Sequence, residues 1–483
     1  MLKRLDWLLW LLAIIVISRL FSMTIVPLLD TTEARYAEVA RIMVESGDWI
    51  TPWFNYGTPF WGKPPLSFWT EAISFKLFGV TEFAARLPSW LANLGMLGLI
   101  YHLTKKLADQ RQALIATLIF STMALSYIMS GAVLTDPFLA LGTTLTLASI
   151  ILALRQPGSH WRWWIFVGLA IGLLAKGPLA LVLSGGPLLL WVIWRRQYRD
   201  LLQLPWGRGV LLTALLSLPW YIVAELKTPG FINYFIIGEH FLRFVDPGWS
   251  GDLYGSAHNK PYGTIWLYWL WASLPWGPIA AIMAIYRWAS TGNSRLAGRR
   301  WLTDEQRLLL LSALFPSLFF TFAGNILWTY QLPALIPLAI LAAMLMAKQI
   351  PASRFNQLGI ALATMLMPLA LILIGCYAYL YPEKLDTEKM LVAHYNEFKG
   401  NSSRPLIYIG KPPFSARFYS KGGVKTAPLS EVERLIDNST EATHFIAINN
   451  EEREEIISSL SSQVKVELTN RRFTLLKIDR LTN

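Results

Sequence analysis

The chain has 483 residues, of which 54% are hydrophobic and only 15% charged. Soluble globular domains carry about 25% charged residues, so the composition excludes an ordinary soluble enzyme and points to a polytopic membrane protein. The formal net charge of +12 is not a nucleic-acid signature, because the lysines and arginines fall mostly in short connections between apolar runs, where positive charge fixes topology. The single cysteine, Cys376, lies in an apolar run. That excludes an intramolecular disulfide and a cysteine-based metal site.

Lys3 and Arg4 precede an apolar run that ends at Leu29. The run is long and no small-residue cleavage site leads into a soluble domain, so it reads as an uncleaved first span. At about 20 apolar residues per crossing, the candidate spans are 7–29, 84–104, 112–131, 134–154, 163–175, 178–194, 208–224, 264–286, 307–323, 328–347 and 357–381, about eleven in all. With the N-terminus in the cytoplasm, the cytoplasmic connections hold Lys105, Lys106 and Arg111; Arg155 and Arg162; Arg195, Arg196, Arg199 and Arg208; Arg287, Arg295, Arg299, Arg300 and Arg307; and Lys348 and Arg354. Each of these connections is basic, as the positive-inside rule requires. The opposite, periplasmic side then receives residues 30–83, the Lys176 turn, residues 225–262 and the C-terminal tail.

The polar loop 30–83 carries two helical patterns. Glu33 to Ser46 places Ala37, Ala40, Met43 and Val44 on one face, and Thr31 or Thr32 can cap its start. Pro64 to Phe78 forms the second, with Pro64 and Pro65 in its first turn. Helices of this kind lie in the membrane interface with the apolar face down, and would frame a cavity just outside the bilayer. Beyond Tyr381 the composition turns polar. Short strand patterns at 405–410, 444–448, 464–468 and 472–478 alternate with helical patterns at 430–437 and 451–462, which reads as a small soluble α/β domain. Asn401 and Asn438 fit the Asn-x-Ser/Thr pattern, which a sequence of this length meets by chance. The predicted organisation is thus a membrane catalytic domain over 1–381 and a periplasmic α/β domain over 382–483.

Several polar groups stand where a membrane protein does not place them without cause. Asp30 and Glu33 follow the first span directly, beside Arg35. Acids at a helix start serve the dipole; the functional reading is a carboxylate that takes or holds the proton of an acceptor hydroxyl. Asp136, in Thr135-Asp136-Pro137, fits a routine helix start, yet it faces the same compartment as Asp30 and Glu33. Arg35, Lys63, Lys176 and Arg243 are cations in outer segments. A lone lysine there snorkels; four together suit a lipid phosphate, with arginine giving paired hydrogen bonds and lysine a point charge. His240 and His258, with Glu239 and Asp246 near them, are candidates for a divalent metal, but their spacing matches no tight metal pattern. No other cofactor is indicated. The aromatic residues of the outer loops, Trp49, Trp53, Trp61, Trp69, Trp249, Tyr254, Tyr262 and Trp266, read as an interfacial belt, with some free to stack on a sugar. No glycine-rich phosphate loop is present, so donor energy would come from an activated lipid rather than a nucleotide.

Taken in order, the acid-Arg-Tyr-Ala-Glu segment, Gly47-Asp48-Trp49, the Lys63-Pro64-Pro65 turn, Ala85-Arg86-Leu87-Pro88, Asp136-Pro137, Leu174–Pro178 and Glu239–Phe244 resemble the polyprenyl-phosphate-dependent GT-C glycosyltransferases. The nearest branch is the protein O-mannosyltransferase-like group that includes the lipid A aminoarabinose transferases. The resemblance covers roughly residues 1–350. It implies a membrane glycosyltransferase that moves a sugar from undecaprenyl phosphate to a lipid A, glycan or protein acceptor. It implies phosphate ligands at Arg35, Lys63, Lys176 and Arg243, and pocket acids among Asp30, Glu33 and Asp136. Tyr36, Glu239, His240 and Tyr330 would line the sugar and acceptor pocket. Two positions depart from the family. Its first-loop aspartate, three residues before the arginine, is Thr32 here, and its Lys-Leu-Pro lysine is Gln331. The rival expectation is a polyprenyl-glycolipid flippase, which would instead set polar groups on broken helices near the bilayer midplane.

Overall fold

The computed structural model describes residues 6–196, 198–246, 249–255, 258–291, 302–349, 354–399, 405–437, 443–460 and 463–479. Lys3, Arg4, Arg295, Arg299, Arg300, Asn401 and Asn438 lie outside them. The chain is mostly helical. Each of the expected spans falls on helix, and two of them are broken: 112–131 is Gln110–Thr122 followed by Ala124–Met129, and 264–286 is Thr264–Ala272 followed by Trp276–Thr291. The second pair meets at 98°. By length and composition, five of the described helices can cross a membrane, or six if the bent pair is one span.

The central helices form a tight antiparallel hairpin, Asp136–Arg155 and Trp161–Lys176. Small residues let the two backbones approach. A Cβ on Gly142 would lie 2.7 Å from the Gly168 carbonyl oxygen and 2.7 Å from the Gly172 nitrogen. Only glycine fits, as at close helix crossings in membranes. The hairpin has a functional consequence: the start of one helix, Asp136, stands beside the end of the other, Lys176.

The segment after the first helix folds as Thr32–Ser46, a short β1–β2 hairpin (Trp53–Asn55, Thr58–Pro59), and Leu66–Phe78. Thr31 is the N-cap of the first of these helices, but its side chain makes no capping bond. The polar face of Thr32–Ser46 is covered rather than solvated. Glu38 and Arg41 are both buried and satisfy each other at 2.6 Å. Asp48, in the Gly-Asp-Trp turn, ties its own loop. It accepts from Ile50 and Thr51 NH at 3.0 and 3.1 Å, from Trp53 Nε1 at 2.9 Å, and from Lys227 Nζ at 2.6 Å. That motif is a local staple.

Five strands of the tail form one sheet: β3 Leu406–Ile409, β4 Val424–Ala427, β5 Thr443–Asn449, β6 Gln463–Thr469 and β7 Phe473–Asp479, in the order β4-β3-β5-β7-β6. β3 runs parallel to β4 and β5, and β7 antiparallel to β5 and β6. Alternate residues serve two cores, as the strand period requires. Tyr408, Phe445 and Leu475 pack under helix Lys389–Phe398, and Ile446, Ile448 and Leu476 pack with Val432 and Ile456. β4, and the helices Lys389–Phe398 and Phe414–Tyr419, were not anticipated. β4 is a short edge strand with two exposed residues, Lys425 and Thr426, so it lacks the apolar alternation that marks the others.

The tail is fastened to the rest of the molecule by ions. Asp30 accepts from the Ser415 NH at 3.0 Å, from the Ser415 hydroxyl, and from Arg472 Nη2 at 2.6 Å. Arg472 also reaches Glu388 at 3.0 Å. Lys389 pairs with Glu82 at 2.5 Å, and the Tyr419 hydroxyl accepts from the Leu28 NH at 2.7 Å. The Asp30 and Glu388 side chains are only 1% and 0% exposed. Removing the cation from such a site costs about 3 kcal/mol. Arg472→Ala is therefore expected to raise the rate of protease cleavage between the membrane part and the tail by roughly 100-fold. An unchanged cleavage pattern would remove this clip from the account.

Candidate active site

A cavity of about 520 Å³ opens where the hairpin end, the Lys63 turn and residues 232–244 converge. Every predicted site residue lines it except Asp30 and Glu33: Arg35, Tyr36, Lys63, Asp136, Lys176, Glu239, His240, Arg243 and Tyr330 are all on its wall. The rest of the wall is mixed: Leu179, Val182, Phe241, Phe244, Phe319 and Trp328 are apolar, and Thr32, Thr135, His258, Asn325 and Thr329 are polar.

Glu239 organises the cationic side. Its carboxylate accepts from Lys63 Nζ at 3.1 Å and from Arg243 Nη1 at 2.9 Å. Arg243 also meets Asp252 at 3.2 Å. Burial pushes the Glu239 carboxyl up, but Lys63 and Arg243 outweigh it and hold the group at about 2. Burial likewise pushes the Lys63 ammonium down, and Glu239 together with Tyr36 and Tyr330 keeps it above its ordinary value. Arg35 stands alongside, donating from Nη1 to the Tyr254 carbonyl at 2.5 Å and lying over the Tyr36 and Phe60 rings at 5.4 and 5.8 Å. Its Nε is buried without a hydrogen-bond partner.

The second charged pair is Asp136–Lys176, at 2.6 Å. Both ends suit the helix dipoles, an acid at a helix start and a lysine at a helix end. Lys176 lies 4.6 Å from the centre of the Tyr330 ring. Gly177 makes this corner, with φ at +69°. A Cβ there would strike the Phe235 ring at 2.6 Å and approach His240 Cε1 at 3.3 Å. Only glycine lets the π-helix Asn233–Leu242 close over the end of the hairpin; π-helical turns are rare and concentrate at functional sites.

His240 is part of that closure rather than a metal ligand. Its Nδ1 lies 2.7 Å from the Phe235 carbonyl and its Nε2 3.0 Å from the Lys176 carbonyl. Burial holds the ring below its ordinary range, and a neutral ring donates to one of the two carbonyls. Among the described residues no group of three or more His, Cys, Asp and Glu side chains could hold a metal. The sequence pairing of His240 with His258 therefore finds no supporting geometry.

Asp30 and Glu33 are placed elsewhere. Asp30 belongs to the tail clip. Glu33 pairs with Arg86 at 2.7 Å and accepts from the Val133 NH at 3.1 Å. Burial pushes Glu33 up, and Arg86 with its hydrogen bonds holds it down instead. Arg86 also donates to the carbonyls of Met23, Val26 and Pro27. The Ala-Arg-Leu-Pro motif thus locks the end of the first helix, and Glu33 positions the strand of chain that leads into Asp136. Thr32 lines the cavity, while the nearby acids Asp30 and Glu33 do not. Tyr254, Asp252 and Phe414 also border the site. Tyr254 was among the outer-loop aromatics of the sequence; Asp252 carried no motif and Phe414 comes from the tail, so only the fold reveals those two.

Residues 6–235 match the family of dolichyl-phosphate-mannose-protein mannosyltransferases. An undecaprenyl phosphate-alpha-4-amino-4-deoxy-L-arabinose arabinosyl transferase of Shewanella sediminis is 34% identical over 316 residues, covering 64% of this chain and 54% of that protein. A second, from Proteus mirabilis, is 33% identical over 336 residues, covering 68% of this chain and 57% of that protein. The chain thus spans a little over half the length of the curated relatives it matches. The crystal structure of ArnT from Cupriavidus metallidurans bound to undecaprenyl phosphate superposes with a TM-score of 0.80 over 98% of both chains, at 18% identity. The chain is therefore related to the polyprenyl-phosphate mannosyl- and aminoarabinosyl-transferases, and it has their GT-C fold.

Proposed function

We propose that the protein transfers a sugar from undecaprenyl phosphate to an acceptor at the periplasmic face of the inner membrane. The observation that carries this reading is the convergence of Lys63 and Arg243 on Glu239 in a cavity that also holds an apolar stretch formed by Phe241, Phe244, Phe319 and Phe320. A polyprenyl phosphate has the matching form, one charged head on an apolar chain. The activity for which the relatives are named puts a 4-amino-4-deoxy-pentose foremost among donor sugars, with a lipid A, glycan or protein acceptor. The reading includes eleven crossings, a cytoplasmic N-terminus and a periplasmic tail, with the division near residue 381.

In this mechanism the acceptor oxygen attacks the anomeric carbon of the sugar. The bond from that carbon to the phosphate oxygen breaks, and its electron pair leaves with the polyprenyl phosphate. The acceptor proton passes to Asp136. Lys63, Arg243 and Arg35 face the leaving phosphate, where preorganised cations stabilise the charge that develops. Lys176 then serves Asp136, holding its carboxylate in line, rather than acting as a direct phosphate ligand. Asp136 is the one acid of the cavity that the cation cluster does not enclose. Asp30 and Glu33 support the scaffold instead of the chemistry.

Asp136→Asn should lower kcat for sugar transfer by about 100-fold or more, and Lys63→Ala should abolish transfer, with membrane insertion of both retained. Normal transfer by both purified variants, measured with labelled undecaprenyl-phosphate sugar, would refute the site. Glu239 also sets a pH dependence. Its folded value of about 2 lies below the ordinary 4.5, so its contribution to stability is complete above 4.5 and is lost as pH falls through 2. Thermal unfolding in detergent from about pH 7 to about pH 3 should therefore show a steeper loss for the wild type than for Glu239→Gln. Equal slopes would contradict the pairing.

A further inference from the structure

A second, larger cavity of about 1000 Å³ lies between the tail and the 30–58 segment. It is not isolated. Tyr254, Gly255 and Phe414 line both this cleft and a vestibule of about 230 Å³, and the vestibule shares Arg35, Lys63, Glu239 and Arg243 with the site cavity. Three adjoining cavities with shared wall residues therefore lie between the tail surface and the cation cluster.

The charge of the cleft is unbalanced. Lys411, Arg417, Arg471 and Arg472 line the cleft, against Asp30 and Glu451. Arg472 is spent on Asp30 and Glu388, and Arg471 on Asp386 at 2.9 Å. Lys411 and Arg417 have no ion pair among the described residues. Arg417 Nη1 is buried and has no hydrogen-bond partner, and burial holds this guanidinium below its ordinary value. The Arg417 guanidinium feels Glu38 and Asp30 at a distance and lies 5.2 Å from the Phe414 ring centre, but its buried Nη1 donor remains unsatisfied. Its planar fork suits a phosphate bidentately, and the nearby lysine adds a point charge. The wall beside them is aromatic, with Phe54 centred 5.0 Å from Tyr254 and 5.3 Å from Phe414.

We propose that this cleft is the acceptor's binding site, and that Lys411 and Arg417 of the tail hold a phosphate on a glycolipid headgroup while its reacting O–H passes Phe414 toward Asp136. The inference rests on the sugar-transfer reading for its purpose, but the cleft binds its ligand whether or not transfer follows. Arg35, held by the Tyr254 carbonyl and lying 6.0 Å from the Phe414 ring centre, stands on the wall shared by the vestibule and the site cavity.

The test uses the full-length protein in detergent and the double variant Lys411→Gln/Arg417→Gln. The ligand is a phosphorylated, acylated disaccharide, compared with its dephosphorylated form and with the detached water-soluble headgroup. The expected result is a rise of at least about tenfold in Kd for the phosphorylated lipid. KM for that acceptor should rise in parallel, with kcat and the donor KM unchanged and the weak binding of the dephosphorylated form unaffected. Equal loss for the detached headgroup would assign recognition to the headgroup alone. Binding of only the lipid form would assign it to the membrane-held acceptor. Unchanged Kd and KM in the double variant would overturn the inference. Failure of the wild type to move sugar to any acceptor, with the Kd difference intact, would instead overturn the transfer reading and leave the cleft an anionic-glycolipid site.

Discussion

The rest of the site depends on one carboxylate shared between two cations. Lys63 comes from the first polar segment and Arg243 from the end of the π-helix, and neither would sit in a partly apolar cavity without Glu239 between them. Uncompensated charge in such a place costs several kcal/mol. The carboxylate offsets that cost and joins two distant stretches of chain. It also keeps both cations charged and aimed at a common point, the property that a phosphate-leaving reaction needs.

Around that triad the fold supplies rigidity by close backbone contact. Gly142 allows the central helices to meet, which brings Asp136 against Lys176; Gly177 allows Phe235 and His240 to close over the same corner. Arg86 and Glu33 fix the chain that enters Asp136. Several polar motifs of the sequence are thus scaffolding. Their residue types are those of a catalytic site, but their partners are backbone carbonyls, amides and each other.

The sequence made the spans and most of the cavity legible, because both leave one-dimensional signals. Apolar runs of membrane length mark helices, and cations outside the basic loops mark a charged site, so Arg35, Lys63, Lys176 and Arg243 could be grouped before any fold was known. Asp30 and Glu33 were harder. A carboxylate next to a span end has the same signature whether it faces a cavity or an arginine far away in the chain, and the partners here are Arg472 and Arg86. The contribution of Phe414 was invisible for the same reason. It depends on how the tail docks, and docking is decided by contacts between residues hundreds of positions apart. The π-helix Asn233–Leu242 was missed because residues 225–262 read as a polar outer connection between spans.

The central claim, that the cation cluster is a polyprenyl-phosphate head site, is tested most directly by an experimental structure of the full-length protein with undecaprenyl phosphate bound. The account predicts phosphate oxygens within hydrogen-bond distance of Lys63 Nζ and the Arg243 guanidinium, with the lipid chain along Phe241, Phe244 and Phe319. A phosphate bound elsewhere, with Lys63 and Arg243 still engaged only with Glu239, would contradict it.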